Sequence, residues 1–183
     1  MDLPVLLPIA AFIALAAGLA VVLRGTGRIV ARTRALEDFK SSVGDLAARV
    51  DASLGEAAGQ IDTVRRRQVG PDTIADMIIA ATDAVERYTD EARALRGPLT
   101  AKTIRADLVA ELERAQRAIG MVEHGIAILA MARRGPRELE AQTSIKRGYL
   151  NLIHAREAIA RHALEARTLE ADEDVETAGR RSD

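Results

Sequence analysis

A chain of 183 residues with 26 basic and 27 acidic side chains has a formal charge of -1, too balanced to be drawn as a whole onto nucleic acid. Aromatic residues make up 2% of it, which leaves almost nothing for bases or sugars to stack on. There is no cysteine, so disulfides and thiolate metal sites are excluded, in keeping with a cytoplasmic location. Only Lys40, Lys102 and Lys146 are lysines, the other 23 basic residues being arginine. With the abundance of alanine, this bias points to a GC-rich bacterial genome.

Residues 3–23 contain no charged side chain, and Arg24, Arg28, Arg32 and Arg34 follow directly. A helix of that length spans about 31 Å, close to the ~30 Å hydrocarbon core of a bilayer. A single transmembrane helix is expected, with the lipid bilayer as its partner. The arginines point the carboxyl-terminal bulk into the cytoplasm and the amino terminus out of a bacterial inner (plasma) membrane. A cleaved signal peptide is the alternative, with Ala14-Leu15-Ala16 as an imitation cleavage site. The basic residues lie after the apolar run and not before it, which favours an uncleaved anchor. Ala10, Ala14 and Gly18 recur every four residues and form a small-residue face that suits a close helix pair, hence a homodimer. Gly25-Thr26-Gly27 reads as a hinge closing an anchor region over 1–28.

Three Gly-Pro steps punctuate the rest: Gly70-Pro71, Gly97-Pro98 and Gly135-Pro136, each preceded by arginine. Arginine suits a helix carboxyl end, glycine the left-handed residue that follows it, and proline the first turn of the next helix. The steps predict four helices over 29–68, 72–95, 99–134 and 137–170. Links this short make consecutive helices antiparallel neighbours. The fold class expected is therefore all-α: an N-terminal transmembrane helix, then an antiparallel four-helix bundle or coiled coil with Gly-Pro turns.

Hydrophobic spacing of three and four residues agrees. The first seam runs Leu36, Phe39, Val43, Leu46, Val50, Leu54, Ala57, Ile61, Val64. The second is Ile74, Ile78, Ala81, Val85, Tyr88, Ala92, Leu95, and the third Ile104, Leu108, Leu112, Ala115, Ile119, Val122, Ile126, Leu129. In the fourth, Ile145, Tyr149, Leu152 and Ile159 share a face. No alternating strand pattern competes. The tail over 171–183 loses periodicity and is expected to be disordered.

Unequal helix lengths leave two seams short of cover. A juxtamembrane seam at Leu36, Phe39 and Val43 is expected to pair with a second copy, or else the first helix tilts or breaks. A distal run containing Ile126, Ile128, Leu129 and Met131 is apolar on all sides; it is either buried on several faces or a patch for a partner helix.

Candidate chemistry is thin. His154 and Glu157, and His162 and Glu165, are neighbours one turn apart, but the other seams supply no inward carboxylates for a metal. His124 has no acidic or nucleotide-binding context, and no phosphate-binding loop or activated nucleophile is present. No catalytic residue, metal or cofactor is assigned. The function expected is a membrane-anchored, non-catalytic scaffold or adaptor acting through an unidentified protein partner, with no nucleic acid. The alternatives are a bundle enzyme or phosphorelay module using the histidines, and an amphipathic helical protein that shapes or coats a membrane surface.

Overall fold

A computed structural model describes the backbone of residues 3–131 and 136–170, and the side chains of 15, 30–131 and 137–170. Four helices make up the fold: α1 (Leu3–Arg65), α2 (Ala75–Ala94), α3 (Lys102–Met131) and α4 (Pro136–Thr168). Single 3₁₀ turns, Pro71–Ile74 and Leu99–Ala101, lead into α2 and α3. No strand occurs among the described residues. Each helix packs on two others, α1 on α2, α2 on α3, α3 on α4 and α4 back on α1. The result is a closed antiparallel bundle.

The seams read from the spacing form its core. From Leu36 to Val64 on α1, every position of the first seam is buried, and the same holds for the third seam from Ile104 to Val122. Ile145, Leu152 and Ile159 bring α4 into the same cluster, while Tyr88, Tyr149, Ile126 and Leu129 pack against its edge. At about 1.5–3 kcal/mol for each large apolar side chain taken out of water, this burial is the main force closing the bundle. Thr89 is the one buried polar residue among the described residues; its hydroxyl donates to the Val85 carbonyl at 2.7 Å, so its bonding capacity is met within its own helix.

Three expectations are corrected. First, Gly25-Thr26-Gly27 is not a break: α1 is helical without interruption from residue 3 to residue 65. Two glycines weaken a helix by about 1 kcal/mol each, but a break would require a second helix to nucleate, the costly step in helix formation. The anchor region and the first bundle helix are one element.

Second, the glycines of the Gly-Pro steps are not the left-handed residues. Arg67 is, with φ 60°. Its N–H donates to the Val64 carbonyl and the Gln68 N–H to the Thr63 carbonyl, both at 2.9 Å. That is the Schellman pattern of a helix end. Gly70 is extended, at φ -72° and ψ 155°, and simply positions Pro71 at the head of the next turn. Gly135 lies outside the described residues.

Third, Leu36, Phe39 and Val43 are not an open seam. They are exposed by 2%, 1% and 0%. Helix lengths leave this seam open only if the second link is a tight turn. Instead α2 stops at Ala94 and Leu95 turns out of the helix at ψ 126°, so the chain descends further before Pro98. Gly97 then lies on the Phe39 ring, where a Cβ would sit 2.8 Å from Cδ2. The chain supplies the cover that a second copy was expected to provide.

Candidate interaction surfaces

The distal run splits between two surfaces. Ile126 and Leu129 lean on the core and Ile128 is half-buried, whereas Met131 is 83% exposed. Gly125 is buried against α4, where a Cβ would lie 2.6 Å from Ile145 and 2.8 Å from the Ala141 carbonyl. Gly125 is thus buried, Ile126, Ile128 and Leu129 are half-buried, and Ala127, Ala130 and Met131 are exposed.

Outside the α3–α4 pair runs a groove of about 560 Å³ lined by Met121, His124, Leu139, Glu140, Thr143, Ser144 and Arg147. Leu139 is 69% exposed beside it. Ser144 donates its hydroxyl to the Met121 carbonyl at 2.8 Å, and Thr143 donates to the Leu139 carbonyl at 2.8 Å. Both hydroxyls are thus engaged with backbone, and no base activates either. The groove offers an apolar floor with His124, Glu140 and Arg147 at its rim.

A second cleft, of about 410 Å³, lies under the α1–α2 link. Val64, Val69, Pro71, Leu129 and Ile145 are apolar members of its lining. Across its mouth Arg67 donates to Glu138 at 2.9 Å and Gln142 donates to the same carboxylate oxygen at 3.1 Å. Its polar rim satisfies itself.

The histidines do not converge. His162 Nδ1 is 2.9 Å from Glu165 Oε2, the local pair expected from the spacing. His154 and His124 are exposed on different faces. Among the described residues, no group of three or more His, Asp or Glu is placed to hold a metal ion.

Electrostatics serve the bundle. Arg49 crosses from α1 to a bidentate pair with Glu91 on α2 and lies 5.7 Å from the centre of the Tyr88 ring. Arg93 of α2 reaches Glu113 of α3 at 2.9 Å, and Arg156 of α4 reaches Asp51 of α1 at 2.5 Å. The Arg49 and Arg156 guanidiniums are held above their ordinary value by hydrogen bonds to Glu91 and Asp51 respectively. Gly55 makes room for Arg156, whose Cζ would lie 3.3 Å from a Cβ there. These exposed pairs link neighbouring helices, and none lines either groove.

Spacing alone does not reveal two further features. Leu99 and Leu139 precede the first seam positions of their helices, Ile104 and Ile145, and both are largely exposed, Leu99 at 91%. An apolar residue just after a Gly-Pro step and off the seam was the available signal.

Among the described residues no helix is long and apolar enough to cross a membrane. The side chains of 3–14 and 16–29, and with them the small-residue face Ala10, Ala14 and Gly18, lie outside the described residues, as does the tail over 171–183. No known protein family, curated protein or solved structure matches this chain.

Proposed function

We propose that the protein is a non-catalytic scaffold held at a bacterial inner membrane by the first part of α1, with its amino terminus outside and its bundle in the cytoplasm. One observation carries the reading. An uncharged run of residues over 3–23 belongs to the same unbroken helix that supplies the bundle's first core seam. A rod of this kind fixes the bundle at a set height from the lipid. Helix pairing through Ala10, Ala14 and Gly18 would join two copies inside the bilayer, now without help from Leu36, Phe39 or Val43. The α3–α4 groove, with Met121 and Leu139 exposed in its lining, is the surface best suited to a protein partner.

The test is membrane fractionation of the full chain, with alkaline extraction. The protein should remain in the pellet, and Leu15→Arg should release much of it, since a central arginine opposes insertion by about 2.5–3.5 kcal/mol. Recovery of the unmodified chain in the soluble fraction would overturn the anchor. A photo-crosslinking residue at Leu139 should yield adducts that one at exposed Glu86 does not. Equal labelling at both would remove the case for a partner groove.

A further inference from the structure

The link between α2 and α3 is the most unusual exposed corner of the bundle. Leu99, at its tip, is 91% exposed. Arg96 and Lys102 flank it and are exposed, and Arg105 stands behind it, donating to the Leu95 carbonyl at 3.1 Å. None of the three cations has a carboxylate partner among the described residues, whereas Arg49 and Arg93 each pair with a glutamate of a neighbouring helix. Inside the corner the Thr100 hydroxyl oxygen is buried with no hydrogen-bond partner. The corner is thus an apolar tip ringed by unpaired positive charge.

Its position on the molecule gives this meaning. Gly97 lies on Phe39, so the corner sits on the face of α1 that Phe39 occupies. At 100° per residue, positions 28 and 32 fall within about 20° of Phe39, and position 24 about 60° away. Helix positions 28 and 32 therefore lie on the same side of α1 as the corner. Position 34 is off this side. Glu37 is on the far side of α1, Asp38 is exposed about 100° round the helix from Phe39, and at the nearby end of α4 Glu165 is engaged with His162 while Glu170 is exposed.

We propose that this corner is a second membrane contact, in which Leu99 enters the interface of an anionic leaflet while Arg96, Lys102 and Arg105 meet lipid headgroups. The inference rests on the anchor reading given above. Upright, α1 would hold Phe39 about 24 Å above the end of the apolar run. A tilt of about 40° towards that side is at the upper end of that seen for transmembrane helices, and the corner overhangs the α1 axis by at least one interhelix spacing of roughly 8–10 Å. Together these bring the corner down towards the headgroup layer. An exposed leucine among cations is the composition that anionic interfaces bind.

The chain has no tryptophan, so Leu99→Trp gives a single reporter at a site where the larger side chain displaces nothing. The full-length variant would be reconstituted into phosphatidylcholine vesicles with and without phosphatidylserine, and with lipids brominated on the acyl chain. Emission from the introduced indole should be blue-shifted and quenched by bromolipid in the anionic vesicles. Quenching should fall by at least about half in pure phosphatidylcholine, in high salt, and in a variant that also carries Arg96→Glu and Lys102→Glu. If the chain floats with the vesicles but the indole emits as in water, the corner contact is overturned and the anchor stands. Blue-shifted emission that bromolipid does not quench would also overturn it, since protein, such as the acidic stretch 172–176, then covers the site. A chain that does not float at all removes the anchor and this inference with it.

Discussion

Gly97 meets Phe39 so closely that a Cβ on Gly97 would lie 2.8 Å from Cδ2 and 3.0 Å from Cγ of the ring. Phe39 is 1% exposed, and its ring is held against Gly97 beside a small pocket of about 70 Å³ that both residues line. Gly97→Ala should therefore destabilise the bundle by about 1–3 kcal/mol, the usual result of overpacking a filled core. Gly59 is the matched control: it is in α1, and nothing lies within 4 Å of a Cβ there. Gly59→Ala should stabilise by about 0.5–1 kcal/mol, because alanine restricts the unfolded chain and favours helix. Urea unfolding of the two variants, with midpoints moving in opposite directions, is the measurement.

The same contact changes where two copies can meet. A single cysteine at Phe39 or Val43 lies inside the folded bundle and should form no disulfide-linked dimer under mild oxidation. One at Ala14, on the small-residue face, should form it in membranes if the anchors pair. Non-reducing gels of the three variants would show this. Cross-linking at Phe39 would mean that the lower end of the bundle opens.

The α3–α4 pair depends on two glycines that no turn requires. A Cβ on Gly148 would sit 2.6 Å from the Ala118 carbonyl and 2.6 Å from Val122, and one on Gly125 would sit 2.6 Å from Ile145. Backbone cannot give way as a flexible side chain can. Gly148→Ala should thus cost about 1–3 kcal/mol or more despite the better helix propensity of alanine. Gly120→Ala on the facing helix α3, with nothing near its Cβ, should not. Thermal unfolding followed by helical circular dichroism would separate the two.

What the sequence makes legible follows from which force decides each feature. The seams are set by burial, which imposes a period of three and four residues, and so Leu46, Leu112 and Leu152 can be placed inside from spacing alone. The turns are another matter. Gly-Pro marks where a link falls but not its backbone path, and the left-handed residue is Arg67. That choice rests on hydrogen bonds to Thr63 and Val64 and on the Glu138 pair, which depends on tertiary placement. A few residues of extended chain after Leu95 then move a whole seam from open to covered. Leu99 and Leu139 are illegible for the opposite reason: periodicity identifies what is buried and is silent on which off-seam residue stays in solvent.

Asp62 predicts an acid response at the top of α1. Arg65 donates to its Oδ1 from Nε at 2.8 Å, and Arg66 pairs with Oδ2 at 2.6 Å. The hydrogen bond from Arg65 holds the carboxyl below its ordinary value; desolvation opposes this, and the charges of Arg65 and Arg66 add to it. A carboxyl depressed in the folded state contributes stability that is present above its unfolded value and is lost as pH falls through the folded one. Asp62→Asn should therefore reduce stability at neutral pH and flatten the loss of stability on acidification below about pH 4. Urea midpoints of the two proteins across that range should converge at the acid end. A constant gap would mean that the pair contributes nothing dependent on charge.

Arg67 offers the cleanest separation of backbone from side-chain energetics. Its φ of 60° is required by the helix end, and a left-handed L-residue costs roughly 1–2 kcal/mol. Its guanidinium pairs with Glu138, but that side chain is 70% exposed, and such pairs contribute about 0–1 kcal/mol. Arg67→Ala and Arg67→Gly both lose the pair, and only glycine is relieved of the backbone strain. The glycine variant should therefore be more stable than the alanine variant by about 1 kcal/mol, even though glycine has the more flexible unfolded chain. Glu138→Gln in the native background reports the pair by itself and should shift the urea midpoint by less than that difference. An alanine variant at least as stable as the glycine variant would mean that residue 67 is not left-handed in solution.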